Sequence, residues 1–223
     1  MMANLFSIFD PASPSFMSAN WVSSLLFIFL FPNIWWVINA RYNKIIAKFK
    51  MYLFGEFSPI VKKTKFVLLV SVSVMFFVMF NNVMGLFPYI FTSSAHLSFS
   101  LCFGLTAWTS LMFYGWVNNR SNLLVHLIPQ GTPSGLMPFM VIIETISNII
   151  RPGTLAVRLS ANMIAGHLLL SLLSSAFSTS PLFGLPFLLS AEFMLMGLET
   201  AVAFIQSYVF SVLLTLYVAE FTD

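Results

Sequence analysis

From Phe66 to Asn119 the chain contains no Asp, Glu, Lys or Arg. A water-soluble domain carries about a quarter of its residues as charges, so a run of this length has no place on an aqueous surface. Crossing a bilayer as a helix takes about 20 apolar residues. The run therefore accommodates a hairpin of two crossings, about 66–91 and 98–117, turning at Thr92-Ser93-Ser94. The rest of the chain agrees, with 59% apolar and only 8% charged residues over 223. One soluble core cannot hide that much apolar surface, so the solvent is lipid.

Three further crossings follow from the same criterion. Residues 11–40 are uncharged, and Trp21 to about Asn39 makes a span, taken as 20–39. Two long apolar segments run over 137–177 and 187–219, separated by Ser178-Thr179-Ser180-Pro181. The sequence thus predicts an all-α membrane protein of five crossing helices, the last two long, tilted and antiparallel. A sixth helix, about 42–62, has the Ile45-Ile46, Phe49, Tyr52-Leu53 spacing of an amphipathic helix on the membrane surface. Residues 1–223 read as a single integral membrane domain, with no internal repeat and no soluble domain. Residues 121–135, with Pro129, Gly131, Pro133 and Gly135, read as an interfacial connector.

Orientation comes from the cations. Arg41, Lys44, Lys48, Lys50, Lys62, Lys63 and Lys65 are seven of the ten Lys and Arg, all in the connection after the first span. Such a loop faces the negative side of its membrane. Arg120, two crossings later, falls on that same side. The N-terminus is then outside and the C-terminus inside. The opening residues lack the basic region of a signal peptide, and no arginine precedes Arg41. Cys102, the only cysteine, excludes a disulfide and reads as a small core residue.

Ionisable groups within a membrane are costly and mark function. The last two spans hold Glu144, Arg151, Arg158, His167, Glu192, Glu199 and Glu220, accompanied by Asn148, Asn162 and Gln206. With the two spans antiparallel and Glu144 level with Glu220, Arg158 and Gln206 each lie roughly 21 Å deeper. His167 then falls at about 34 Å and Glu199 at about 32 Å. One alignment thus yields two further level pairs. At about 100° per residue, Glu144, Arg158 and Asn162 share a sector while His167 lies opposite, and Glu199 and Gln206 share a face. The pattern is an inner and an outer polar site, offset, with Arg158 a lone cation held deep between apolar helices. A continuous water path would dissipate a proton gradient, whereas two offset half-paths separated by a fixed cation would not.

Blander readings apply to several of these residues. Arg151, beside Pro152, reads as a cation snorkelling to the inner interface. Glu192 reads as a solvated helix start, and Glu220 stays open between an interfacial charge and a path residue. His96 and His126 read as structural residues of a turn and a connector. Gly153, Ala156, Ala161, Ala165 and Gly166 read as sites of close helix packing.

The run Ile143-Glu144-Thr145-Ile146-Ser147, then Arg151-Pro152, then Leu155 through His167 (LAVRLSANMIAGH), resembles the subunit a family of F-type ATP synthases. The Glu199 to Gln206 segment resembles the same family, and the opening resembles its arthropod mitochondrial members. The resemblance implies a non-catalytic stator subunit beside a rotating ring of proteolipid c subunits, each carrying one membrane carboxylate. It implies other ATP synthase stator and membrane subunits as partners, in the mitochondrial inner membrane, with the N-terminus toward the intermembrane space and the C-terminus toward the matrix. It makes Arg158 the essential ring-facing cation, His167 and Glu199 the outer proton path, and Glu144 and Glu220 the inner one. Asn162 and Gln206 match polar positions near the arginine, with Asn148 as a further supporting group, while Arg151 lies outside the shared motif.

No nucleotide-binding loop or catalytic triad is present, and no cofactor, metal or nucleic acid is expected. Two other classes fit less well. A secondary transporter would show inverted repeats and broken midplane helices. A subunit of an electron-transfer complex would show paired histidines at haem-ligand spacing, and only His167 lies deep.

Overall fold

The computed structural model describes residues 5–12, 19–26, 41–61, 65–118, 120–128, 133–178 and 180–222. All regular structure among them is helical. The α-helices are α1 (Arg41–Phe57), α2 (Lys65–Gly85), α3 (Leu97–Asn118), α4 (Arg120–His126), α5 (Met137–Phe177) and α6 (Leu185–Thr222). Short 3-10 turns lie at Leu5–Phe9, Asn20–Leu25, Ser93–Ala95, Ser134–Leu136 and Leu182–Gly184.

Four of these helices contain segments long and apolar enough to cross a membrane: Phe66–Gly85, Leu97–Asn118, Met137–Phe177 and Leu185–Ala219. Most of the first expected span, from 27 to 39, lies outside the described residues. The 66–91 span ends early, at Gly85, because Pro88 cannot continue a helix and Tyr89 takes a left-handed φ of 67°. For the same reason α1 stops at Phe57, two residues before Pro59, rather than running to 62. The connector after Arg120 is not irregular throughout, since its first residues form α4.

Lipid gives helices no hydrophobic drive to associate, so close packing and small residues hold such bundles together. The seam between α2 and α6 follows this rule. Ser71 of α2 and Ser207, Ser211 and Thr215 of α6 are fully buried, flanked by Phe210 and Val218. The seam between α3 and α5 is set by Gly104: a Cβ there would lie 3.3 Å from the Pro152 carbonyl oxygen and 3.4 Å from Ala156 Cβ. Phe77 stacks on Phe103 at 4.9 Å, and Phe103 reaches Phe210 at 6.3 Å, which joins α2, α3 and α6.

Helix α1 buries only part of the apolar face expected for it: Ile46 and Leu53 are buried, whereas Ile45, Phe49 and Tyr52 are exposed. Asn43, Ile46, Leu53 and Phe57 are buried, while Arg41, Lys44 and Lys48 are exposed on the opposite face. Phe49 and Lys50 both meet Phe76, midway along α2. Tyr208 of α6 donates to Glu56 Oε2 at 3.3 Å and stacks on Phe57.

Three expectations are corrected. Cys102 is exposed on the outward face of α3, because in lipid an apolar side chain has no need of the interior. Glu192 is half-buried seven residues inside α6, not at a helix start. Among the small residues, Ala156 and Gly166 sit at close contacts, whereas Ala161 and Ala165 are exposed and Gly153 has open space around it.

Candidate functional site

Helix α5 presents three sectors, and its sequence periodicity assigns them. Pro152, Leu155, Ala156, Leu159, Ser160 and Met163 are buried. Asn162 turns toward α6, where its Nδ2 donates to Gln206 Oε1 at 3.1 Å. Val157, Arg158, Ala161 and Ala165 face outward and are exposed. Arg158 is therefore not enclosed between helices of this chain, which corrects the expectation. Among the described residues it makes no hydrogen bond, ion pair or ring contact.

Of the level pairs expected from depth matching, His167 and Glu199 do meet, whereas Gln206 meets Asn162, one turn beyond Arg158. Five residues beyond Asn162, His167 Nε2 lies 3.8 Å from Glu199 Oε1, seven residues before Gln206. Glu199 is only 6% exposed and the His167 side chain 15%. The separation exceeds direct hydrogen-bond reach, and neither Glu199 oxygen bonds to a described protein group. Gly166 makes the room, for a Cβ there would lie 2.5 Å from Glu199 Oε1. A cavity of about 180 Å³, lined by Glu199, Gly166, Leu169 and Asn162 among others, continues from the pair toward the Asn162–Gln206 bond.

The inner group is arranged differently. Arg151 Nη2 lies 3.6 Å from Glu144 Oε1, and the same guanidinium sits over the Tyr217 ring at 5.2 Å. Arg151 thus binds a carboxylate two turns away on its own helix and an aromatic face on α6, so the reading of a merely snorkelling cation is replaced. The i, i+7 spacing of Glu144 and Arg151 is the sequence signal for this pair. Both line a cavity of about 540 Å³ with Asn148 and Thr145 on α5, and Trp108, Met112 and Trp116 on α3. Pro152 cannot donate to the Asn148 carbonyl, which leaves a further polar backbone group beside Asn148.

The cavity beside Glu199 and the cavity beside Glu144 share no lining residue. Along α5 they are separated by the stretch from Arg151 to Asn162, about 16 Å, with Arg158 inside it. The backbone of Glu220 lies near the end of α6, and its side chain is outside the described residues, as is that of His126. His96 packs between Trp21 at 5.1 Å and Phe91 at 5.0 Å. No group of three or more metal-ligating side chains occurs among the described residues.

Known proteins share this sequence closely. Residues 17–219 match the family described as ATP synthase A chain. The chain is 50% identical over 222 residues to ATP synthase subunit a of Drosophila mauritiana, with 99% of each covered. It is 49% identical over 223 residues to that of Locusta migratoria and 49% over 227 to that of Anopheles gambiae, again with 99% of each covered. With residues 17–219 matched and half of its residues shared with these relatives over nearly the whole length, the chain belongs to the ATP synthase A chain family.

Proposed function

We propose that this chain is the stator proton channel of a mitochondrial ATP synthase, passing protons through two offset half-channels to and from a rotating ring of carboxylate-bearing subunits. The observation that carries the reading is Arg158. A guanidinium on an outward, membrane-level face with no partner among the described residues is a costly arrangement unless an opposite charge meets it from outside. A ring carboxylate is such a charge. The small Ala161 and Ala165 beside Arg158 leave room for a neighbouring helix to approach.

A proton enters from the intermembrane space at His167 and Glu199 and moves through the outer cavity to Asn162, one turn from Arg158. There it neutralises a ring carboxylate, which can then face lipid without the cost of a buried charge. Another ring site arrives at the inner side and releases its proton through the cavity of Glu144, Arg151 and Asn148 to the matrix. Arg158 favours the ionised ring carboxylate and bars direct transfer between the cavities. A guanidinium suits this role because it stays charged when buried, whereas lysine deprotonates. Each charge moved through 100 mV supplies about 2.3 kcal/mol for rotation. At about 61 Å and 57 Å, α5 and α6 are far longer than a hydrocarbon layer of about 30 Å, so they lie steeply tilted along the ring. ATP chemistry resides in partner subunits.

The test is Arg158→Ala. It is expected to abolish proton-driven ATP synthesis while the complex still assembles, and Arg158→Lys is expected to fail as well. Coupled synthesis at the normal rate in either variant would refute the mechanism.

A further inference from the structure

No hydrogen bond to a described residue orients His167. Its Nε2 stands 3.8 Å from Glu199 and bonds to no described protein group. The ring that touches it comes from the other end of the sequence. Phe9 meets the imidazole edge to face, with centroids 6.4 Å apart and planes at 78°. Phe9 ends the turn Leu5–Phe9, which packs against α5, and it is half-buried while Phe6, Ser7 and Ile8 are exposed.

The N-terminal segment is also held in place. Asn20 Nδ2 donates to the Pro11 carbonyl at 3.0 Å, and Ser23 Oγ donates to the Phe91 carbonyl at 2.9 Å. Trp21 packs on Phe91 at 5.6 Å, so residues 20–25 are fastened to the turn between α2 and α3. Asp10, next to Phe9, is exposed, and its carboxylate accepts the Ala12 N–H at 3.0 Å within its own loop.

We propose that Phe9 is a positioning residue for proton uptake: its ring fixes the His167 imidazole so that Nε2 faces Glu199, and it covers the outer side of that pair. This inference rests on the outer-path reading of His167 and Glu199. Proton transfer needs its heavy atoms in hydrogen-bond reach, directly or through one water. At 3.8 Å, a turn of the imidazole decides whether Glu199 meets a nitrogen or a carbon. Edge-to-face aromatic pairs prefer a defined geometry, which an aliphatic side chain of similar bulk does not impose.

The experiment uses the intact ATP synthase in sealed membranes, with rates taken per assembled complex at saturating ADP and phosphate. Phe9→Leu is expected to slow proton-driven synthesis by about 2- to 10-fold, the worth of one aromatic pair. Phe9→Tyr, which keeps an aromatic edge, is expected to restore it. The Leu variant should also show a larger solvent deuterium isotope effect, because proton uptake then limits the rate. In a His167→Gln background, Phe9→Leu should add nothing. Equal rates for Phe9→Leu and Phe9→Tyr, or a full additional loss in the His167→Gln background, would overturn the inference. If His167→Gln alone leaves synthesis unchanged, the outer-path reading falls and this inference with it. If His167→Gln slows synthesis and Phe9→Leu does not, only the inference falls.

Discussion

Gly166 and Glu199 share one volume, because the glutamate carboxyl fills the space where a side chain at 166 would stand. Gly166→Ala therefore pushes the end of a flexible side chain rather than backbone, and the fold should tolerate it. The proton path should not: displacing Glu199 by an ångström is expected to slow proton-driven synthesis on the order of tenfold, with assembly unchanged. Comparing synthesis rate with the amount of assembled complex checks this. Glu144 and Arg151 form an ion pair at 3.6 Å, and the proposed exit path makes them a unit. Arg151→Gln should impair synthesis more than Arg151→Lys does. The double variant Glu144→Gln/Arg151→Gln should deviate from additivity by about 2- to 10-fold in rate. Additive losses would separate the two residues. Helical rise made the meeting of His167 and Glu199 legible, but it set Gln206 level with Arg158 rather than with Asn162, which it bonds. The sequence did not reveal that Arg158 faces outward, because periodicity gives relative angles and leaves the absolute facing to packing. Nor could it bring Phe9 to His167, since 158 residues of chain separate them and no local rule links the two.

Between elements, the determining contacts are small residues at close crossings. Gly104→Val inserts branched bulk against the Pro152 carbonyl and Ala156, and should cost about 1–3 kcal/mol through overpacking. A lower unfolding temperature of the membrane sector, or less assembled complex, is the readout. Gly153→Ala is the contrast, since its Cβ meets nothing within 4 Å and a helical Ala is favoured over Gly. It should be neutral or stabilising. Prolines bracket α5, with Pro138 at its start and Pro181 shortly after its end at Phe177, which is why a run of about 137–177 is visible in the sequence. Element boundaries were missed where a run continued through apolar turn residues, as at 86–91. The short helix α4 was hidden by the prolines and glycines just after it.

On the scale of the molecule, Glu199 and Gln206 are buried, while Arg158 faces outward without a partner among the described residues. Glu199 and Asn162 border one cavity and Glu144, Asn148 and Arg151 another, with no lining residue in common, while Arg158 stands between them along α5. The central claim is that an ionised carboxylate from a ring subunit meets Arg158 there. Imaging the complete membrane sector at side-chain resolution tests this most directly. The account predicts the Arg158 guanidinium within about 4–6 Å of a ring carboxylate, close enough for its charge to act on that group. It also predicts the His167–Glu199 and Glu144–Arg151 cavities opening to opposite sides of the membrane. Arg158 turned to lipid, or paired with a carboxylate of its own chain, would contradict it.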